Sequence, residues 1–167
     1  MTQRHPRVLK DFNLFIDGEG YIGRAEEVTL PVLEMNTDEY RGAGMDAPID
    51  IDVGLNKLRV SLSLKDFDDR VHRVFAKPEL PITVRGEIQA QGEPSRAVLA
   101  QMRGMFTKID PGTWQTGSPG KLAGEGTLTF YKLTINGREA AYIDIMNTVR
   151  RIDGVDHLAD RRAILGI

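Results

Sequence analysis

Hydrophobic and polar residues alternate with period two along much of this chain, the pattern of half-buried β-strands. The clearest run is Lys57–Lys65. Leu58, Val60, Leu62 and Leu64 point one way, while Lys57, Arg59, Ser61, Ser63 and Lys65 point the other. Pro81–Gln91 repeats it, with Ile82, Val84, Ile88 and Ala90 around Gly86 on one face and Thr83, Arg85, Glu87, Gln89 and Gln91 on the other. Gly92–Ser95 reads as a turn and Arg96–Ile109 as a long, less regular strand. In Gly124–Ile135 the apolar phase slips between Phe130 and Tyr131, which predicts a bulge or burial of both faces. Asn136-Gly137 is a strong hairpin signal, and Arg138–Met146 returns from it. Near the start, Phe12–Asp17, Gly18-Glu19-Gly20 and Tyr21–Arg24 predict a hairpin with a glycine turn. Glu27–Leu33 is a further strand, with Pro31 marking an edge or a strand end.

The period changes twice. Asp66–Lys77 predicts a helix: Asp68 and Asp69 suit its start, Val71, Val74 and Phe75 recur at helical spacing, and Pro78 stops it. Asp153–Leu165 predicts a short terminal helix, with Gly166 placed as its C-terminal cap. The segment Gly154–Ile167 is expected to dock, burying Val155, Leu158 and Leu165.

Two stretches predict loops. One is Asp110–Lys121, rich in glycine and proline; its Trp114 either tacks the loop down or touches a neighbour. The other is a long loop from about Glu34 to Pro48, followed by a strand-like run, Ile49–Val53. Structureless stretches of that length inside a compact domain are usually functional or disordered. Tyr40 and Met45 argue against disorder, because staying free would forfeit buried area. Gly42 and Gly44 allow close backbone approach or positive φ, and Arg41 has the fork geometry for a carboxylate. Asn36–Met45 is therefore expected to be an assembly element that reaches another copy of the chain, with folding back on its own domain as the alternative. The whole pattern describes one antiparallel β domain over residues 1–167, with one internal and one C-terminal α-helix.

Composition narrows the function. Twenty-two Lys and Arg against 24 Asp and Glu leave a net charge of −2, which argues against a dedicated nucleic-acid binder. No cysteine is present, so disulfides and thiolate metal sites are excluded. The basic N-terminus Met1–Lys10 lacks the apolar stretch of a secretory signal. No run approaches the roughly 18 apolar residues of a membrane span. These features predict a soluble chain made in the cytoplasm, without membrane insertion. His5, His72 and His157 have no ligand-spaced partner, and Asp50-Ile51-Asp52 and Asp66–Asp69 lack the remaining ligands of a calcium loop. Gly18-Glu19-Gly20 and Gly42-Ala43-Gly44 lack the third glycine and the strand-to-helix setting of a dinucleotide site. No catalytic residue, metal or cofactor is expected.

The chain resembles the major tail tube proteins of contractile-tailed bacteriophages. Phe12-Asn13-Leu14-Phe15 with Asp17-Gly18 and Gly23 is similar to that family's opening hairpin, and Val28-Thr29-Leu30-Pro31 to its next strand. Tyr40-Arg41-Gly42-Ala43-Gly44-Met45, then Ala47-Pro48 and Gly54-Leu55, resembles its loop signature. Asn136-Gly137, Ile143-Asp144, Asn147, Gly154-Val155-Asp156, Leu158, Arg162 and Gly166 continue the likeness, while Asp66–Lys121 matches by pattern.

The resemblance implies an antiparallel β-sandwich or partly open barrel that completes a large β-barrel ring on hexamerisation. It implies stacked rings forming the inner tube of the virion tail, assembled in the bacterial cytoplasm, through which DNA passes without specific binding. The implied partners are the contractile sheath protein, the tape measure protein, and the baseplate hub and tail terminator proteins. Related tubes serve phage-tail-like bacteriocins and type VI secretion-like injection systems. Tyr40, Arg41, Gly42, Gly44 and Met45 are the expected inter-subunit loop. Arg59, Ser61, Ser63, Thr83, Arg85, Glu87 and Gln89 are expected to face either the lumen or ordinary solvent.

Overall fold

The computed structural model describes residues 5–167; the first four residues of Met1–Lys10 lie outside that range. In chain order the elements are β1 (Val8–Ile16), β2 (Glu19–Gly20), β3 (Ala25–Thr29), β4 (Met35–Tyr40), β5 (Ile49–Leu55), β6 (Arg59–Leu64) and α1 (Asp69–Arg73). There follow β7 (Leu80–Gln89), β8 (Arg96–Asp110), β9 (Leu122–Ile135), β10 (Arg138–Asp144), β11 (Val149–Ile152), β12 (Val155–Asp156) and α2 (Ala159–Leu165). One ten-stranded antiparallel sheet runs β12-β11-β10-β9-β8-β7-β1-β2, with β6 on β9 and β3 on β6; β4 and β5 form a hairpin of their own.

Three of the reversals are two-residue turns with positive φ at both positions, which fits the twist of the flanking strands. They are Asp17-Gly18 (φ 51° and 85°), Asn136-Gly137 (51° and 79°) and Asp153-Gly154 (51° and 85°). Glycine is strain-free there, and aspartate or asparagine tolerates the left-handed region better than other side chains.

The sheet turns on β9. Its Leu122–Thr127 half pairs with β6 and its Phe130–Ile135 half with β10, while β8 runs along its other edge. Between the halves Gly104 opposes Leu128 and Arg103 opposes Phe130, so Thr129 is the extra residue of a bulge. The bulge restores the apolar phase, leaving Leu128 and Tyr131 both buried. It lies one residue before the slip expected from the sequence. A second irregularity between Phe106 and Lys108 explains the uneven pattern of β8. The two limbs fold over one core that gathers Leu14 and Ile16 from β1, Val60 and Leu62 from β6, Met102 and Phe106 from β8.

Several expectations are corrected. The long loop is not a loop: Met35–Tyr40 is a strand, and only the stretch 41–48 connects it to β5. Its sequence, Met-Asn-Thr-Asp-Glu-Tyr, has no alternation, because every residue of β4 is exposed. Asp153-Gly154 is a hairpin turn, and the terminal helix begins only at Ala159. Val155 and Leu165 are exposed, and Leu158 is half-buried, so the segment is not docked as expected. Gly166 does cap α2, at φ 70°. The internal helix is a single turn capped by Asp68, whose carboxylate accepts from the Arg70 N–H; Val71 is buried but Phe75 is exposed. The first hairpin returns for only two residues, so Tyr21–Arg24 is not strand, though the Tyr21 side chain enters the core. Glu27–Leu33 shifts to Ala25–Thr29, ending before Pro31 on a strand that pairs on one side only.

The bulge generates a test. A Cβ on Gly104 would lie 2.1 Å from the Thr127 carbonyl oxygen and 2.8 Å from the Leu128 Cα, both backbone atoms fixed by the ladder. Gly104→Ala should cost about 1–3 kcal/mol, the usual range for overpacking, read as a lower urea midpoint. An unchanged midpoint would show that β8 and β9 are free to slide apart.

Candidate assembly surface

The β4–β5 hairpin stands off the main sheet as an arm. Cross-strand partners share a face, so Tyr40 with Ile49 and Asp38 with Ile51 lie on one side, and Glu39 with Asp50 and Thr37 with Asp52 on the other. Val53 is the extra residue of a bulge. One face is thus largely apolar and the other acidic. Tyr40, Ile49, Ile51 and Val53 remain 44–53% exposed. An isolated two-stranded hairpin is marginal in water, and an apolar face left open adds to the cost.

The arm is anchored at its root. The Asn56 backbone N–H donates to the Glu34 carbonyl at 2.9 Å, and its side-chain amide donates to the Glu34 carboxylate at 2.9 Å. Arg150 pairs with Asp52 at 3.4 Å. Leu33 and Leu55 face Ile143 and Ile152 across a small cavity. The root is fixed to the body, and the rest of the arm projects.

At the tip the structure brings together all five residues expected to act there. The Met45 N–H donates to the Gly42 carbonyl at 3.3 Å, the Gly42 N–H points at the Met45 sulfur at 3.1 Å, and Arg41 Nε donates to the Met45 carbonyl at 3.2 Å. Gly44 has φ 84°, and a Cβ on Gly42 would sit 3.0 Å from the Tyr40 hydroxyl. The tip is therefore a self-held turn in which the left-handed backbone at Gly44 favours glycine, while a side chain at Gly42 would have to displace the exposed Tyr40 ring. Among the described residues no carboxylate lies within ion-pair range of Arg41.

The expected polar strand face divides between two limbs. Arg59, Ser61 and Ser63 lie on β6, opposite Thr127, Glu125 and Ala123. Ser63 is only 8% exposed and its hydroxyl donates to Glu26 at 3.3 Å, so it does not present to an open face. Thr83, Arg85, Glu87 and Gln89 lie on β7, where Gln89 is half-buried and donates to the Glu93 carbonyl at 3.0 Å. Thr83 continues through Gln101 and Lys132 to Tyr142 and Arg151.

That row leads to a cluster the sequence reading missed. Arg103 lies 4.5 Å over Phe130, Phe130 meets Tyr142 edge-on at 5.3 Å, and Arg151 lies 4.0 Å over Tyr142. Arg151 also grips Glu139 with a fork, at 3.0 and 3.3 Å. Hydrogen bonding to Arg151 lowers the Glu139 pKa, and the same bond raises that of Arg151. Placing the bulge at Thr129 puts Phe130 and Lys132 on this face, and that was the available signal. On the neighbouring limb, Trp114 meets Phe67 edge-on at 5.6 Å and is otherwise exposed, so it both tacks its loop down and leaves a ring free.

Two further surfaces stay open. Among the described residues the outer edge of β1 has no strand partner before Leu14, whose carbonyl accepts from the Tyr21 N–H at 2.8 Å, and Val8 and Leu9 are exposed. At the other end of the chain α2 buries none of its residues, and Ile164, Leu165 and Ile167 are 62–84% exposed. Arg162 holds this helix in place, donating to the Thr148 carbonyl at 2.8 Å and to Asp156 at 2.5 Å. The hydrogen bond from Arg162, helped by the Leu158 N–H, pulls the Asp156 pKa from 3.8 down to about 2.

The family model described as phage tail tube protein FII matches residues 6–166. The tail tube protein of Escherichia phage P2 is 35% identical over 97% of this chain and 98% of its own length. The major tail tube protein of Serratia phage KSP20 is 30% identical over 93% of each. Among solved structures, Hcp1 from Flavobacterium johnsoniae aligns with 79% of this chain and 98% of its own at 13% identity and a TM-score of 0.49. The chain belongs to the phage tail tube family, whose members are structural components of the virion tail rather than enzymes.

The Asp156 contact sets a pH dependence. A carboxylate whose folded pKa is depressed contributes stability that is present above its ordinary 3.8 and is lost as pH falls toward 2. Asp156→Asn should therefore melt below the wild type at neutral pH, with the gap closing as pH falls through 3.8 toward about 2. A gap that does not change with pH would contradict the tie to Arg162.

Proposed function

We propose that residues 1–167 act as one tail tube unit whose copies close into hexameric rings, and that the rings stack into the inner tube of a contractile tail. Family membership supports self-assembly into a tube. The observation that carries the rest is the arm: a hairpin anchored at its root, with an apolar face left about half exposed among the described residues. Such a surface is stabilised by a second copy.

The open edge of β1 supports ring closure. Exposed edges are removed when strands of neighbouring subunits pair, and a heterologous contact that closes after six copies leaves none. Because β6 (Arg59, Ser61) and β7 (Thr83, Arg85, Glu87) lie on limbs that fold over one core, one of these polar rows would then face the channel and the other ordinary solvent. Their mixed charge suits passage of DNA, because each uncompensated cation adds a salt-dependent hold on phosphate. Sheath protein, tape measure protein, baseplate hub and tail terminator are the partners such a tube would meet outside, inside and at its two ends.

The test replaces Tyr40–Met45 by a short glycine–serine linker. Because the tip lies outside the core, the variant should fold with near-normal stability yet fail to build long tubes, as seen by electron microscopy. Tubes as long as those of the wild type would overturn the bridging role.

A further inference from the structure

We infer that the apolar face of the arm packs on the exposed face of helix α2 of a second copy, an acceptor assignment that rests on the tube reading above. Two of the open apolar surfaces of the chain concern this contact. The arm offers Tyr40, Ile49 and Ile51; α2 and the residues after it offer Ile164, Leu165 and Ile167. The arm and helix of one chain do not cover each other, since only Asp52 at the arm's root lines the cavity beside Leu158 and Ile164. Both faces keep 44% or more of their surface.

Charge selects the pairing. Residues 35–55 carry five carboxylates (Asp38, Glu39, Asp46, Asp50, Asp52) and one cation, Arg41, for a net of −4. Residues 149–167 carry four arginines and three aspartates, for a net of +1. Asp52 is held by Arg150 and Asp156 by Arg162. Among the described residues, Arg161 and Asp160 on the helix and Asp38, Glu39, Arg41, Asp46 and Asp50 on the arm have no ion-pair partner, Asp38 lying on the same face as Ile51. An apolar seam flanked by Arg161 toward the acidic side of the arm, and by Asp160 toward Arg41, gives each of these two helix charges an opposite charge to meet. The contact joins different patches on the two copies, so it is heterologous and can propagate, as a tube requires. Tyr40 supplies the large aromatic surface that usually dominates such contacts.

The chain has no cysteine, which makes the contact directly testable. Ile51→Cys and Ile164→Cys are prepared as separate proteins, and assembly of each is checked by electron microscopy beside the wild type. They are then mixed, assembled and mildly oxidised. The expected product is a disulfide-linked dimer in the mixture, absent from either protein alone and absent when the mixture is diluted to unassembled chains before it is oxidised. Tubes without the mixed dimer would overturn the acceptor assignment and leave the tube reading standing. A wild type that forms no tubes would overturn both. As a second variant, Ile164→Asp should melt like the wild type, because residue 164 is 84% exposed, yet stop tube growth. Normal tubes from that variant would also contradict the assignment.

Discussion

The β8–β9 ladder is the constraint on which the rest depends. Fifteen and fourteen residues long, these two strands carry both limbs of the sheet. The switch from β6 to β10 along one edge of β9 happens at the Thr129 bulge. At that point Gly104 brings the backbones closer than any side chain permits. Without the bulge the apolar positions of β9 would fall on opposite faces before and after Thr129, and the limbs would have no common core. With it, Leu128 and Tyr131 serve the same interior. The core is thus a consequence of one register shift and not of hydrophobic content, which at 41% of the chain is only moderate.

What the ladder organises is internally consistent but incomplete at its margins. The polar face of the main sheet is settled within the chain, since Arg103, Lys132 and Arg151 cover Phe130 and Tyr142, and Glu139 satisfies Arg151. The arm, the β1 edge and α2 are not settled: each leaves apolar side chains or backbone pairing groups in water. A monomer would lose stability from such surfaces, whereas a subunit that always meets copies of itself gains from them. The division between a closed centre and open margins is what membership of a tube family leads one to expect.

The sequence made the centre legible and the margins much less so, for a physical reason. β6 and β7 alternate because one face meets the core, and periodicity records burial within the chain. Asn136-Gly137 is readable because its turn needs only local geometry. Met35–Tyr40 gave no such signal, since both of its faces are exposed and only its pairing with β5 makes it a strand. Asp153-Gly154 reads as a helix start because aspartate suits a helix cap and a tight hairpin turn alike. Val155 and Leu165 looked like core residues because an apolar side chain reserved for a partner has the same pattern as one reserved for the interior. The tip residues Tyr40–Met45 were found through composition and family likeness, though their setting is a hairpin end and not a free loop.

The central claim is that this chain is built to be completed by copies of itself. Negative-stain imaging of the purified, concentrated protein, with light scattering on the same sample, tests it most directly. The account predicts six-membered rings that stack into tubes, with a scattering mass that rises with concentration. A stable monomer at high concentration, with neither rings nor tubes on the grid, would contradict it.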